Sequence, residues 1–377
     1  MRVLLALHHQ LDPNQGAPGA TLSLGQALEA AGCEVEYFGF EHAYPKQVTY
    51  SVKHAVQFPW RLAAFLSRCG SRFDIIDAST GDSWVWAAQR RPGACECHAL
   101  ITRSHGLEHA VDQQVRATAK GGGTPLSWKY PVYHGGYRLW EVKKSLQQAD
   151  HCILLNEADC RYVCNNFHVP SERVSVTPMG ISDRYCGLPP PARRADPKLR
   201  LAFVGSWIPR KGTKTMVETV MRLRRAGLDF ALSIFGSGKA PVWDDFSATL
   251  HERLDVRPEY RNAELPSLLL DHDILLCPSL AEGFSRALVE AMACGLAPIA
   301  TPVGAAPSVI ETGKNGILVP VNASSRIADA VLHLASHRDV LFQIQCEAQN
   351  TAQAYRWDTL AANTISIYES ARNRPTA

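Results

Sequence analysis

No apolar run in the chain approaches the ~18 residues that a bilayer-spanning helix needs. There is no low-complexity tract and no internal repeat of the length that builds solenoids or propellers. The Gly-Lys-Ser/Thr order of a Walker phosphate loop is missing. So is the third glycine of a dinucleotide fingerprint, because Pro241 stands where it would follow Gly236-Ser237-Gly238. A dehydrogenase is therefore disfavoured. Charge of either sign is scarce in excess: 39 Lys and Arg against 36 Asp and Glu leave a net +3. That mild basicity suits anionic ligands and does not call for nucleic acid. The 11 cysteines are scattered and odd in number, which favours reduced thiols in a cytoplasmic protein. Cys95-Glu96-Cys97-His98 has no second pair at zinc spacing, so no metal site is read there. The hydrophobic part of Met1–His9 is too short for a signal peptide and reads as a first buried strand.

What the chain does have is two successive α/β alternations in 377 residues, a comfortable length for two domains. In the first half the strand candidates are Val3–Leu7, Glu34–Phe38, Asp74–Ala78, Ala99–Arg103, Cys152–Leu155 and Val174–Thr177. A helix over Thr21–Ala31, with Leu22, Leu24, Leu28 and Ala31 on one side, is ended by Gly32. Leu188–Pro197 holds four prolines and no periodicity, and reads as an interdomain linker. The second half offers strands at Leu201–Val204, Leu232–Phe235, Ile274–Cys277, Pro298–Thr301 and Ile317–Val319. From about Ser324 to Arg372 the pattern is helical, with Trp357 and Tyr368 spaced to share one face. Such alternation predicts parallel sheets covered by helices, with ligands outside the carboxyl ends of the strands.

The chemistry-bearing motifs all fall just after strands. After Ile274–Cys277 comes Ala281-Glu282-Gly283-Phe284-Ser285, then a helical run through Glu290 to Gly295. A helix N-terminus carries unpaired N–H groups and partial positive charge, which suits phosphate. Glu282 and Glu290 flank it and can accept hydrogen bonds from hydroxyls. After Leu201–Val204 comes Gly205-Ser206-Trp207-Ile208-Pro209-Arg210-Lys211-Gly212, where two adjacent cations can grip a diphosphate. Gly236-Ser237-Gly238 is a third strand-end turn. Asn14–Thr21, with Gly16 and Gly19, reads as a loop that lets backbone approach a phosphate or sugar, Gly19 being the better candidate for contact. His105-Gly106 ends the strand at Ala99–Arg103 and is the candidate for positioning a sugar. Each feature has a plainer reading as a solvated charge, a turn or a core histidine.

Together these motifs resemble, in order along nearly the whole chain, the retaining glycosyltransferases of family 4 in the GT-B class. The match is stronger over residues 201–320 than over 1–180. Glu282 and Glu290 match the family's Glu-x7-Glu, and Lys211 the lysine of its Gly-Arg-Leu-x3-Lys-Gly motif. Ser206 stands at that motif's arginine position, so Arg210 is the candidate replacement. Thr177-Pro178-Met179-Gly180-Ile181 resembles the Pro-Asn-Gly turn with Met179 replacing Asn, and Asn315–Pro320 matches a turn read as structural. The resemblance implies two Rossmann-like doubly wound domains facing across a cleft: an acceptor domain over residues 1–185, with a C-terminal helix of about 355–377 packed back on it, and a donor domain over 198–352.

The expected activity is transfer, with retention, from a nucleoside-diphosphate sugar to an unidentified acceptor, a glycan, lipid-linked glycan or small molecule. An epimerase of the same fold and a non-catalytic nucleotide-sugar-binding protein are the alternatives. The resemblance assigns His105, Glu282, Lys211 and Arg210 to catalysis. Donor binding falls to Gly19, Gly205, Arg210, Lys211, Gly236, Gly283, Phe284, Ser285 and Glu290. No cofactor or metal is expected, since Asp271-His272-Asp273 precedes its strand and so lies at the end away from the ligand. The expected location is cytoplasmic, with peripheral contact at the inner face of the membrane as a variant of that reading. Ser127–Lys144 packs two Trp, three Tyr and four Lys or Arg into eighteen residues. It reads either as a loop followed by a helix from about Gly136, with Leu139, Trp140 and Val142 inward, or as part of an acceptor-side flap over Gly121–Tyr137 hinged at Gly121–Gly123.

Overall fold

A computed structural model describes residues 1–47, 49–90, 99–120, 126–194 and 196–374. The Cys95–His98 run and the Gly121–Gly123 hinge lie outside the described residues. The chain divides into two compact units, one of Met1–Gly180 with Trp357–Ala377 and one of Ile181–Arg356. The proline-rich stretch belongs to the second unit. There the Gln349 side chain donates to the Pro189 carbonyl at 3.0 Å, and Gly295 leaves room for the Pro191 ring.

Each unit holds one six-stranded, all-parallel sheet. The first comprises β1 (Arg2–Ala6), β2 (Glu34–Phe38), β3 (Ile75–Ser79), β4 (Ala99–Arg103), β5 (His151–Leu154) and β6 (Val174–Val176), in the order β2-β1-β3-β4-β5-β6. The second comprises β7 (Leu199–Val204), β8 (Phe230–Phe235), β9 (Leu254–Arg257), β10 (Ile274–Cys277), β11 (Ala297–Ala300) and β12 (Ile317–Leu318), in the order β12-β11-β10-β7-β8-β9. All eleven expected strands are present, each within two residues of its expected bounds. The unexpected one is β9, Leu-Asp-Val-Arg, an edge strand with its two polar residues exposed. With a single neighbour it needs little apolar sequence, and its pattern is too short to stand out.

The strands are apolar on both faces because helices cover both. In β1, Leu4 and Ala6 pack with Phe58 and Leu62 of the helix Val52–Cys69 and with Val142 and Leu146 of the helix Arg138–Gln148. Val3 and Leu5 face the other way, onto Leu24 and Leu28 of the helix Gly16–Ala30 and Tyr368 of the helix Trp357–Arg372. In the second unit Met216, Val220 and Leu223, spaced along the helix Thr213–Arg225, meet Leu201, Phe203 and Ile234 in one core.

Two local expectations are corrected and a third, the helical C-terminal region, is refined. The first helix begins at Gly16, so Gly19 sits inside its first turn and not in a loop. The proline at position 18 is tolerated there because first-turn N–H groups have no helical partner anyway. The C-terminal helical region is three helices, Ser324–Ser336, Arg338–Ala352 and Trp357–Arg372. Trp140 does not face inward: it is 42% exposed, while Glu141 beside it is buried.

The last helix returns to the first sheet through a buried polar clasp. Arg103 at the end of β4 donates to Asp77 of β3 at 2.7 Å, and the Tyr368 hydroxyl donates to the same carboxylate. Tyr368 is fully buried, and burial with the adjacent Asp77 charge drives its phenol far above the ordinary range. Replacing Tyr368 by Phe strips one donor from a buried carboxylate. A loss of about 1–3 kcal/mol is expected, seen as a lower urea midpoint with unchanged slope. A variant as stable as the parent would show that apolar packing alone holds this helix.

Candidate active site

In an open parallel sheet the strand order reverses at one point, and there the loops on neighbouring strands diverge to leave a crevice. In the second sheet the reversal lies between β7 and β10. The β7 loop runs through Gly205 into a short 3₁₀ turn, Pro209–Lys211, and ends at Gly212. The β10 loop runs through Pro278, Ser279 and Glu282 to the helix Arg286–Ala293.

Gly212 permits their contact. Its φ is +75°, and a Cβ there would fall 1.9 Å from the Pro278 carbonyl oxygen, so only glycine allows this approach. The Leu280 amide then donates to the Arg210 carbonyl at 2.8 Å. Lys211 Nζ lies 2.6 Å from Glu282 Oε1, and Arg210 Nη1 lies 3.4 Å from Oε2 and 2.9 Å from the Ala281 carbonyl. Ser279 Oγ donates to Oε1 at 2.9 Å. The Lys211 side chain passes over Gly205, its Cε 3.4 Å from where a Cβ would be. Lys211, Arg210, Glu282 and Gly205 are thus brought together, with two cations on one carboxylate that is itself largely buried.

The remaining predicted donor residues surround this pair at greater remove. Gly283, Phe284 and Ser285 precede the helix, which starts at Arg286. The Gly283 carbonyl accepts from the Ala305 amide at 3.0 Å. Phe284 is buried against Tyr355, and Ser285 Oγ lies 3.9 Å from Cys277 Sγ. Burial raises the Cys277 thiol above its ordinary range, which makes it a poor nucleophile. Glu290, 7% exposed, is held at 2.9 Å by Arg286 one turn earlier. Burial and the Glu290 charge push the Tyr260 phenol up to about 12, and the same causes raise Tyr185. Gly236, φ +80°, turns the β8 loop beside the Tyr260 ring. The Trp207 amide donates to the Ser237 carbonyl at 3.2 Å and ties that loop to the β7 loop. Asp273, at the start of β10, accepts from the Arg200 amide at 2.8 Å, and Asp271 pairs with Arg194 and Arg200. Asn315 is a structural turn residue, donating to the Val309 carbonyl and accepting from the Glu311 amide.

The first unit supplies a separate cavity at its strand ends. Ala20, Thr21, Arg103, His105, Met179 and Trp357 line it. His105 is held neutral, its pKa lowered to about 4 by burial and then by the Arg103 charge. A neutral imidazole there can both donate to and accept from a hydroxyl. Met179, in place of the resembled turn's asparagine, gives that wall an apolar surface. Gly19 faces the chain itself: a Cβ at that position would lie 2.6 Å from the Pro13 carbonyl.

The sequence reading missed a polar cluster in the same unit. His8 follows β1, and its Nδ1 lies 2.8 Å from Asp82, which follows β3. Arg138 stands beside them, paired with Glu108 at 2.9 Å. The strand-end rule that picked out His105 applies equally to His8 and could have found it. Asp82 and Arg138 carry no local motif.

Known proteins bear on both units. The family model described as glycosyltransferase family 4 matches residues 16–185, and that of glycosyl transferases group 1 matches residues 198–337. The chain is 26% identical over 334 residues to the MMP α-(1→4)-mannosyltransferase of Mycolicibacterium hassiacum, covering 85% of this chain and 76% of that protein. It is 28% identical over 231 residues to the D-inositol 3-phosphate glycosyltransferase of Paenarthrobacter aurescens, covering 57% of this chain and 56% of that one. Among solved structures, the sucrose-phosphate synthase of Thermosynechococcus elongatus superposes with a TM-score of 0.75 at 18% identity, over 98% of each chain. HepE of Anabaena, in complex with UDP, gives 0.69 at 18% identity over 98% of this chain and 100% of that one. At such identities the structural likeness speaks to the fold. With one family model on each unit, in the order of the chain, and a GT-B architecture throughout, the protein belongs to the family 4, group 1 glycosyltransferases.

Proposed function

We propose that the protein transfers a glycosyl group from a nucleoside-diphosphate sugar to a hydroxyl acceptor, with retention of anomeric configuration and without a divalent metal. The observation that carries this reading is the convergence of Lys211 and Arg210 on the Glu282 carboxylate at a topological switch point. A site that binds one carboxylate through two cations is built for anionic oxygen. A diphosphate offers more of it than a side chain does. Lys211 keeps three donors on one nitrogen, so it can hold phosphate and Glu282 together. Glu282, released in part, then takes a sugar hydroxyl. Glu290 accepts from the ribose, and neutral His105 orients the transferred sugar.

Charge builds on the leaving diphosphate as the glycosidic bond stretches. Fixed cations and the N–H groups at the start of the helix Arg286–Ala293 oppose it without reorganisation. The diphosphate oxygen, on the same face as the departing bond, takes the acceptor proton, which accounts for retention. The name of one relative, a mannosyltransferase, fits a hexosyl donor, and the UDP complex of HepE fits a nucleoside-diphosphate leaving group. Among the described residues no helix is long and apolar enough to cross a membrane.

Lys211→Ala is expected to weaken UDP or GDP binding by about 10- to 100-fold in calorimetry, the loss of one charge-assisted contact of ~1.5–3 kcal/mol. Unchanged affinity would remove Lys211 from the donor site. A matching loss in Arg210→Ala would establish it as the substitute for the arginine that Ser206 replaces.

Glu282→Ala and His105→Ala should lower kcat by more than their loss of folded stability accounts for, and Glu290→Ala should act mainly on nucleotide affinity. Kinetics equal to the parent in all three would return these residues to structural roles. The product anomer, read by NMR coupling, decides retention. Full activity in EDTA is the expected result for metal independence, and activity lost to EDTA and restored by Mn²⁺ would contradict it.

A further inference from the structure

The first sheet also reverses its order, between β1 and β3. The residues that meet across that point are His8 and Asp82. His8 gives Asp82 both its backbone amide, at 3.0 Å, and Nδ1, at 2.8 Å, and Asp82 is 1% exposed. In the tautomer that donates Nδ1–H to the carboxylate, Nε2 has the lone pair with which to accept from a hydroxyl.

Beside this pair a single guanidinium, Arg138, faces three carboxylates: Glu108 at 2.9 Å, Glu141 at 3.8 Å and Asp82 at 3.9 Å. The buried Glu141 carboxylate accepts from Trp84 Nε1 at 3.2 Å, and the Tyr137 hydroxyl lies beside it. Burial holds the Glu141 pKa up at about 7 despite the adjacent arginine. Half-exposed His9 and Tyr50 rings, 5.5 Å apart, form an edge beside the cluster. Burial and the adjacent His8 lower the His9 pKa to about 4, so that edge adds no positive charge.

We propose that this cluster is the acceptor subsite of the transfer reaction, resting on the glycosyl-transfer reading above, and that it selects an uncharged, hydroxyl-rich acceptor over its phosphate ester. Carboxylates and an imidazole lone pair accept from hydroxyls, and tyrosine and histidine rings stack on sugar faces. A phosphate ester would bring two more negative charges to a site whose one cation is already outnumbered. In a partly buried setting such like charges are weakly screened.

The test is a ligand-observed saturation-transfer NMR panel at pH 7.5. The probes are the methyl glycosides of glucose, mannose and galactose, myo-inositol, and the corresponding sugar 6-phosphates and inositol 1-phosphate. At least one neutral member should bind at least ~10-fold more tightly than its phosphate ester. His8→Ala should lose that binding ~10-fold or more with UDP and GDP affinity unchanged. Glu108→Gln, which alters a side chain about a quarter exposed, should narrow the gap between ester and neutral ligand. The proposal is overturned if an ester binds more tightly than its neutral parent, if no neutral member binds, or if His8→Ala binds like the parent. A Glu108→Gln variant that leaves the gap unchanged also overturns it. UDP and GDP titrations separate the two readings. Neutral-sugar binding without nucleotide binding sinks the transferase reading and spares the subsite; nucleotide binding with ester preference does the reverse.

Discussion

The Glu282 carboxylate joins two loops that would otherwise be separate pieces of backbone. Lys211 and Arg210 reach it from the loop after β7, Ser279 reaches it from the loop after β10, and its own chain continues toward the helix at Arg286. Parallel strands cannot be joined by tight turns, so each connection must leave the sheet and return. Where the strand order reverses, the departing loops separate and leave backbone and polar groups to be satisfied. Ion pairing at that point closes the loops on each other while keeping charge at the mouth of the sheet. The arrangement is tight only because Gly212 admits the Pro278 carbonyl at a distance no side chain would tolerate. Stability and chemistry therefore draw on the same few atoms.

The first unit solves the same geometric problem with different residues. His8 and Asp82 stand across its reversal point as Lys211 and Glu282 do in the second. The two pairs differ in charge balance. In the second unit two cations share one carboxylate, and in the first one guanidinium is shared among three. The same kind of reversal point thus presents opposite electrostatic faces in two differently ordered sheets, one suited to an anion and one to hydroxyls. Burial tunes the first unit further: His105 and His9 are both kept neutral by desolvation near their strand ends.

Strand positions were legible because apolar runs bounded by glycine and proline survive in any parallel sheet covered on both sides. The Lys211 and Glu282 loops were legible because their residues sit in short contiguous motifs. What could not be read was anything assembled from distant segments. The Tyr368–Asp77–Arg103 clasp joins residues nearly three hundred positions apart, and Asp82 and Arg138 acquire meaning only beside His8. The first helix start was misread where glycine suggested a loop: Gly16–Gly19 is already helical, with the Gly19 amide donating to the Gln15 carbonyl, and the missing side chain at Gly19 leaves room for the Pro13 carbonyl. Trp140 was placed inward on hydrophobicity alone, whereas the helix face it would have taken is occupied by Glu141 and Val142.

The return of the Trp357–Arg372 helix makes the first unit discontinuous in the chain. On a ribosome, residues 1–180 emerge first and yet lack one of the two helices that cover Val3, Leu5 and Ile101. The second unit, continuous from Ile181 to Arg356, can complete its core before the first can. Synthesis therefore runs against the usual order, in which the leading domain finishes first. Until the last helix arrives, the part of that sheet face that the helix Gly16–Ala30 leaves uncovered stays bare, an apolar surface open to chaperones and to aggregation.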